Sequence, residues 1–305
     1  DLADINIENK PDIDILIFGD SFCRMGRNGL PNFLGKDNTQ TIINTNLKFT
    51  KHPIDGIYQL LNGGFFDSTH VRFVLLQKSV RGWEKMLSIN ENSILKFDDL
   101  VEKKPYMSTP SYASYEKWAR PTEDQLNIFQ ELKREFDNSI KFILFNVLYY
   151  FDDNAFGLSP IHVFQLQQNF FSERNNTLVV LGEDISFMRN FNWDMSNQLN
   201  EKLNELAKNL REKNIKLIFV PTANKYDIYY PYIDKNYRYK KSNYFELLKN
   251  KKKEYIYIDT SELLTNALKL GVIDLYLADD THWSHKAATI VSKNILSKIN
   301  LINEK

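Results

Sequence analysis

The chain has 305 residues, of which 43% are hydrophobic and 26% charged, so it can bury the core of one large α/β domain or two small ones. Its 39 basic and 39 acidic side chains give a formal net charge of zero, which argues against a general nucleic-acid binder. Cys23 is the single cysteine and none of the five histidines forms an HExxH pair, so a disulfide framework and these common metal motifs are excluded.

The N-terminal part alternates short apolar runs with helical segments. The apolar run at 13–18 predicts a buried strand, and further strands are predicted at 41–44 and 71–77. A short helix is predicted at 31–34, because Pro31 is harmless at a first helical position, and another at 55–61.

The pattern loosens between residues 83 and 195. Within this stretch the sequence predicts a helix at 126–136 and strands at 140–150 and 177–181. Because a structureless stretch of this length is unusual in a compact domain, we interpret 83–195 as an insertion on the sheet or a small subdomain within one 1–305 domain.

Regular alternation returns in the C-terminal part. Leucines spaced by three and four residues predict a helix at 196–213, and strands are expected at 215–220 and 255–258, followed by a helix at 284–298. Strands that alternate with helices and are apolar on both faces predict a mainly parallel sheet covered on both sides, that is, an α/β fold.

Ser21 lies in the sequence Gly-Asp-Ser-Phe at 19–22, directly after the first predicted strand. A serine on such a strand-to-helix turn projects from the carboxyl edge of the sheet, where open α/β sheets bind ligands. Nearby backbone N–H groups can stabilise an oxyanion there. Ser21 is therefore a candidate nucleophile, while the simpler alternative is a helix N-cap.

His282 is the candidate base for Ser21, because a serine hydroxyl needs a base to accept its proton. Asp279 and Asp280 lie three and two residues before it, on the loop that precedes the last predicted helix, and either could orient the imidazole. The alternative is that both acids only favour the N-terminus of that helix.

This pair of motifs resembles the SGNH/GDSL hydrolase superfamily. The Asp-Thr-His-Trp sequence at 280–283 is similar to the Asp-x-His-Trp signature of bacterial polysaccharide O-acetyltransferases, of which the alginate enzymes are a branch. Segments 219–226 and 29–34 also resemble that branch, and the resemblance covers about 1–82 and 196–298. In the alginate enzymes the Asp-x-His-Trp motif precedes the serine motif, whereas here the serine comes first.

The resemblance implies an SGNH-like three-layer sandwich with a long insertion between the third strand and the following helix. It also implies Ser21 as nucleophile, His282 as base and Asp280 as the orienting acid, with Asp279 as the choice of the ordinary esterase pattern. The Gly-x-Asn-Asp oxyanion block usual after the third strand is replaced by Gln-Lys-Ser-Val-Arg-Gly at 77–82.

Four further residues are candidates for substrate or oxyanion contacts. Arg81 could replace the missing asparagine or bind substrate, or be an ordinary surface arginine. Trp283 could stack on a sugar ring or pack under its loop, and Lys225 and Tyr226 could line the cleft. The basic run at 235–253, with interleaved tyrosines, could bind an anionic glycan or membrane surface, or form a solvated loop and helix face.

The leading hypothesis is a carbohydrate O-acyltransferase, with O-acetyl transfer expected first, that acts on a cell-envelope or extracellular glycan. Its partners would be a glycan acceptor, an acyl donor and a membrane acyl-carrier protein, with no nucleic acid, metal or bound cofactor. An SGNH carbohydrate esterase or deacetylase with the same triad, and a catalytically idle glycan-binding module, are the alternatives. For this hypothesis we expect an extracytoplasmic protein, and because the sequence begins at Asp1 rather than Met, we expect a signal or anchor segment that is absent from this sequence.

Overall fold

The computed structural model describes residues 12–24, 28–35, 42–44, 52–67, 69–88, 91–92, 94, 147, 161–234 and 239–304. The strands in this part of the chain are β1 (Asp12–Phe18), β2 (Ile42–Asn44), β3 (His70–Ser79), β4 (Ile161–Gln165), β5 (Thr177–Leu181), β6 (Lys216–Thr222) and β7 (Ile256–Tyr257). The α-helices are α1 (Ser21–Arg24), α2 (Leu30–Leu34), α3 (Pro53–Asn62), α4 (Trp83–Leu87), α5 (Gly182–Ser186), α6 (Trp193–Arg211), α7 (Lys225–Tyr229), α8 (Tyr244–Lys249), α9 (Thr260–Lys269) and α10 (His285–Asn303).

Five strands form one sheet in the order β2-β1-β3-β6-β7, and all four pairings are parallel. The carboxyl ends of these strands therefore meet at one edge, where Ser79 at the end of β3 is in register with Thr222 at the end of β6. Ser21 follows β1 at the same edge. The prediction of a mainly parallel α/β sheet is confirmed.

Both faces of the sheet are covered. Consecutive residues are buried at 15–18 in β1, 73–77 in β3 and 217–222 in β6, which is the pattern of strands with helices on either side. Helix α3 contacts β1 and β3, while α6 and α9 contact β6. This arrangement agrees with the layered α/β fold implied by the SGNH resemblance.

Part of the 83–195 stretch contributes to the same core. β4 and β5 form an antiparallel hairpin, and β5 buries Leu178 and Val180. The predicted strand at 177–181 is present, whereas the predicted helix at 126–136 lies outside the described residues. Within the predicted strand 140–150, only Val147 is described and it is helical. The division of the chain into a domain and an insertion stays a prediction.

Helix α9 was absent from the sequence predictions. Its first turn is capped by Asp259, whose side chain accepts the Glu262 N–H at 2.9 Å, and it buries Leu264 and Leu268 on one face. Among the described residues, no helix combines the length and the apolar character that crossing a bilayer requires.

Candidate active site

Ser21, His282 and Asp280 form a continuous hydrogen-bonded chain. Ser21 is the first residue of α1, and its Oγ lies 2.7 Å from His282 Nε2. On the other side of the ring, His282 Nδ1 lies 2.7 Å from Asp280 Oδ1. With the imidazole proton on Nδ1, Nε2 is free to accept the serine proton, which is the arrangement that activates a serine nucleophile.

Asp280, and not Asp279, contacts the imidazole. Asp280 Oδ1 also accepts the His282 backbone N–H at 3.1 Å, so a two-residue turn fixes the carboxylate beside the ring. Burial opposes ionisation of Asp280, but the hydrogen bonds and charge of His282 outweigh it and hold the pKa of Asp280 below its usual value. The Asp279 side chain is exposed.

The turn that carries Ser21 is fixed by Asp20. Its Oδ1 accepts the Phe22 N–H at 3.1 Å and its Oδ2 accepts the Ser79 N–H at 2.7 Å, so one buried carboxylate joins the turn after β1 to the end of β3. Gln77 accepts the Asp20 N–H at 3.0 Å and donates to Thr222 Oγ1 at 2.7 Å. Gln77 and Ser79, at the end of β3 where the usual oxyanion block is replaced, therefore support the turn that carries Ser21.

Trp283 does not offer a ring to a sugar, and this substrate prediction is wrong. Its side chain is 0% exposed and lies edge-on to Phe22, with ring centroids 5.0 Å apart. Phe22 in turn contacts the His282 ring at 4.7 Å. Trp283 therefore supports the imidazole through Phe22, which agrees with the alternative that it packs under its loop.

Lys225 and Tyr226 do not line a cleft, and this prediction is also wrong. Tyr226 is buried and its hydroxyl donates to the Tyr239 carbonyl at 3.0 Å. Lys225 is 0% exposed and its Nζ donates to backbone carbonyls of the loop that carries Asp280. Both lie on α7, the helix that follows β6. Their place after a strand end made them candidates, but this helix packs their side chains inward.

Arg81 lies beside the loop that carries Asp280 and His282, where it pairs with a buried acid. Its guanidinium donates to Asp184 Oδ1 at 2.9 Å and to Thr281 Oγ1 at 3.2 Å. Burial raises the pKa of Asp184 and the neighbouring Arg81 opposes that rise. A role for Arg81 toward substrate or oxyanion stays a prediction. Sequence reasoning missed Asp184, because a lone acid in an irregular stretch carries no signal of burial.

Comparison with protein-family models gives one match over the C-terminal part. Residues 186–303 match the family described as the SGNH hydrolase-like domain of acetyltransferase AlgX. The resemblance to the AlgX-like branch of the SGNH hydrolases is thereby confirmed. No curated protein and no solved structure matches the chain.

The AlgX-like match contains only part of the site. Asp280, His282 and Lys225 lie inside residues 186–303, whereas Ser21 and Arg81 lie outside it. The match supports an acetyltransferase or esterase class for the chain, and the sheet joins the matched part to the strand that carries the serine.

The described lysines of the 235–253 run mostly contact the chain itself. The contacts are Lys241–Glu246, Lys249–Glu262, Lys251–Asn197, Lys252–Glu254 and Lys253 with the carbonyl of Leu248. These contacts favour the solvated loop and helix face over an anion-binding surface.

The described residues also contain no group of His, Cys, Asp and Glu side chains able to hold a metal ion.

Proposed function

We propose that the chain is a carbohydrate O-acetyltransferase that forms an acyl-enzyme on Ser21. The observation that carries the proposal is the hydrogen-bonded chain from Ser21 Oγ through both His282 nitrogens to Asp280 Oδ1. The family matched at 186–303 is described as an acetyltransferase domain, which supports acetyl as the group that is transferred. A cell-envelope or extracellular glycan is the acceptor class we propose, with an extracytoplasmic location.

The proposed acylation step uses the hydrogen-bonded chain directly. Ser21 Oγ attacks the acyl carbonyl carbon while His282 Nε2 accepts the hydroxyl proton, and Asp280 stabilises the resulting imidazolium. We assign the Ser21 backbone N–H as an oxyanion donor at this turn. The tetrahedral intermediate then collapses, and the leaving group of the donor departs with the proton from His282. The product is an acetyl ester on Ser21.

Transfer reverses these steps on a second substrate. A sugar hydroxyl gives its proton to His282 Nε2, its oxygen attacks the ester carbonyl, and Ser21 leaves with that proton. This scheme uses residues of the chain alone for proton transfer. A membrane acyl-carrier protein as the source of the acetyl group is part of the proposal.

An SGNH carbohydrate esterase is the second candidate, because the same hydrogen-bonded triad would serve if water replaced the sugar. The two functions differ in the acceptor that discharges the acyl-enzyme. A glycan-binding module without catalysis is the third candidate, and it would form no acyl-enzyme.

The test is intact mass after brief incubation with p-nitrophenyl acetate, with and without a panel of oligosaccharides. We expect one acetyl group on the parent and none on Ser21→Ala, with faster discharge in the presence of an acceptor sugar. Ser297→Ala, an exposed serine on α10, serves as the matched control and should acetylate normally. Discharge onto water alone would favour the esterase, and the absence of any adduct would favour the binding module.

A further inference from the structure

The two triad residues His282 and Asp280 lie on one short loop, residues 277–282, here named the acid loop. The loop is closed at its base by an antiparallel bridge between Tyr276 and Trp283. The Leu277 N–H also donates to the His282 carbonyl at 3.1 Å. The base of the loop is thus fixed by backbone pairing, but that pairing does not reach its tip, where Asp280 lies.

Lys225 fills the inside of the acid loop. Its Nζ donates to the carbonyls of Leu277 at 2.7 Å, Ala278 at 2.9 Å and Asp280 at 3.2 Å. An ammonium has three N–H donors, so these three carbonyls match its full capacity. The Nζ also lies 4.9 Å from the centre of the Phe171 ring, which closes the site on another side.

Burial and the surrounding acids have opposite effects on the charge of Lys225. Burial lowers the pKa of Lys225 to about 7, while Asp279, Asp280 and Asp184 act in the opposite direction. Without a donor inside the loop, three converging carbonyls would lose their partners in a buried place, which costs free energy and favours another loop conformation.

A second contact holds the acid loop through the side chain of Thr281. The Thr281 hydroxyl donates to Asp184 Oδ2 at 3.0 Å and accepts from Arg81 at 3.2 Å. Arg81 follows β3 and Asp184 lies on α5, so two separate elements meet at the residue between Asp280 and His282. The loop tip is therefore held by Lys225 through its backbone carbonyls and by this ion pair through the Thr281 side chain.

We propose that Lys225 is a positioning residue that holds the acid loop in the conformation in which Asp280 reaches His282 Nδ1. The effect of Lys225 on catalysis rests on the proposed function, whereas its effect on the conformation of the acid loop does not. The ammonium acts on the loop much as a bound metal ion would, by gathering carbonyls that otherwise repel one another. Lys225 contacts neither the serine nor the imidazole directly, and it acts through the backbone of Asp280.

The test compares Lys225→Met with Lys253→Met. Lys253 is a matched control, because its Nζ also donates to three carbonyls, those of Leu248, Lys249 and Lys251, at the end of α8. We expect Lys225→Met to slow acetylation of Ser21 by about 10²-fold, as misplacement of a catalytic group by about 1 Å does. Lys253→Met should stay within about threefold of the parent, since it lies on another element.

A spectroscopic readout separates positioning from general loss of structure. The NMR resonance of the proton shared by His282 Nδ1 and Asp280 should be present in the parent and in Lys253→Met, and shifted or lost in folded Lys225→Met. A folded Lys225→Met with parental acetylation and an unchanged resonance would overturn the inference. If Lys225→Met does not fold, Lys225→Gln, which keeps two N–H donors, is measured against the same criteria.

The resonance also separates the two proposals. If the parent forms no acyl-enzyme, the proposed function fails, yet a Lys225-dependent Nδ1 resonance would still establish the positioning role. If the parent is acetylated on Ser21 and the Lys225 variants match it in rate and resonance, only the positioning role fails.

Discussion

Exchange of one acid for its amide at two adjacent positions tests the geometry of the site. Asp280→Asn and Asp279→Asn are the same chemical change, one residue apart on the same loop. Asp280 Oδ1 lies 2.7 Å from His282 Nδ1 and also accepts the His282 N–H, whereas the Asp279 side chain is exposed. We therefore expect a large loss of acylation rate from the first variant and a small one from the second.

The size of the loss follows from charge and tautomer together. A carboxylate and an imidazolium about 4 Å apart attract by about 1 kcal/mol in water and about 4 kcal/mol near a protein surface. The Asp280 side chain is 41% exposed, so its contribution lies between these limits. An amide can also place its NH₂ toward Nδ1 and move the ring proton to Nε2, where it blocks proton transfer from Ser21. Because of this tautomer effect, exchange of a triad aspartate for asparagine lowers the rate by about 10⁴-fold.

We expect Asp280→Asn to lower the acylation rate by about 10³- to 10⁴-fold, because exposure of the carboxylate weakens the purely electrostatic part. For Asp279→Asn we expect less than about fivefold, since an exposed charge is screened by solvent.

Release of p-nitrophenol in the first turnover measures acylation, and intact mass confirms that the acetyl group is on Ser21. Ser21→Ala supplies the background rate of ester hydrolysis. Thermal unfolding of each variant shows whether a loss of rate reflects a loss of fold.

Two results would refute this reasoning. Asp279→Asn could lose as much as Asp280→Asn, which would mean that the imidazole turns to the other acid during the reaction. Alternatively, folded Asp280→Asn could keep a rate within about tenfold of the parent, which would mean that the acid contributes far less than triads require.

Three further predictions concern stability. Gly19→Ala should destabilise the fold by several kcal/mol in urea unfolding, because an added Cβ would lie closer than 3.0 Å to Cys23; parental stability would contradict this contact. Trp283→Leu should cost about 2–4 kcal/mol in the same assay, since the indole is fully buried, and a change below about 1 kcal/mol would contradict its packing role. Burial raises the pKa of Asp227 to about 7, so the folded protein binds an extra proton between pH 4 and 7 and loses stability as pH rises through that window. As pH rises from 4 to 8, the free energy of unfolding of Asp227→Asn should therefore increase by up to about 4 kcal/mol relative to that of the parent. A difference in unfolding free energy between the two proteins that does not vary with pH would refute this prediction.

The fold was predictable where local pattern and packing agree. Strands β1, β3 and β6 are apolar runs that end at the same sheet edge, and their order follows from alternation with helices. Helix α9 was missed although its signal is present, because Asp259 and Glu262 have the spacing of an N-terminal cap before an apolar face. A search for caps would have found it.

The arrangement of the candidate site was more predictable than its supports. A serine on a turn and a histidine preceded by acids indicate from sequence alone which groups the proposed reaction would use. The choice between Asp279 and Asp280 depends on a local turn. The resemblance implied Asp280, and the short distance between His282 Nδ1 and Asp280 Oδ1 also favours Asp280. Lys225 was misread because a lysine after a strand resembles a cleft residue, and only the path of residues 277–282 reveals its inward direction.

The AlgX-like match and the turn that carries Ser21 lie in different parts of the chain. Gly19 packs closely against Cys23, and Asp20 joins the turn after β1 to Ser79 at the end of β3. The acid loop, Lys225 and the following helix all lie within residues 186–303, where Lys225 contacts the loop through its carbonyls. We expect substitutions in that segment to affect the geometry of the proposed triad more often than substitutions around Ser21, apart from the turn itself.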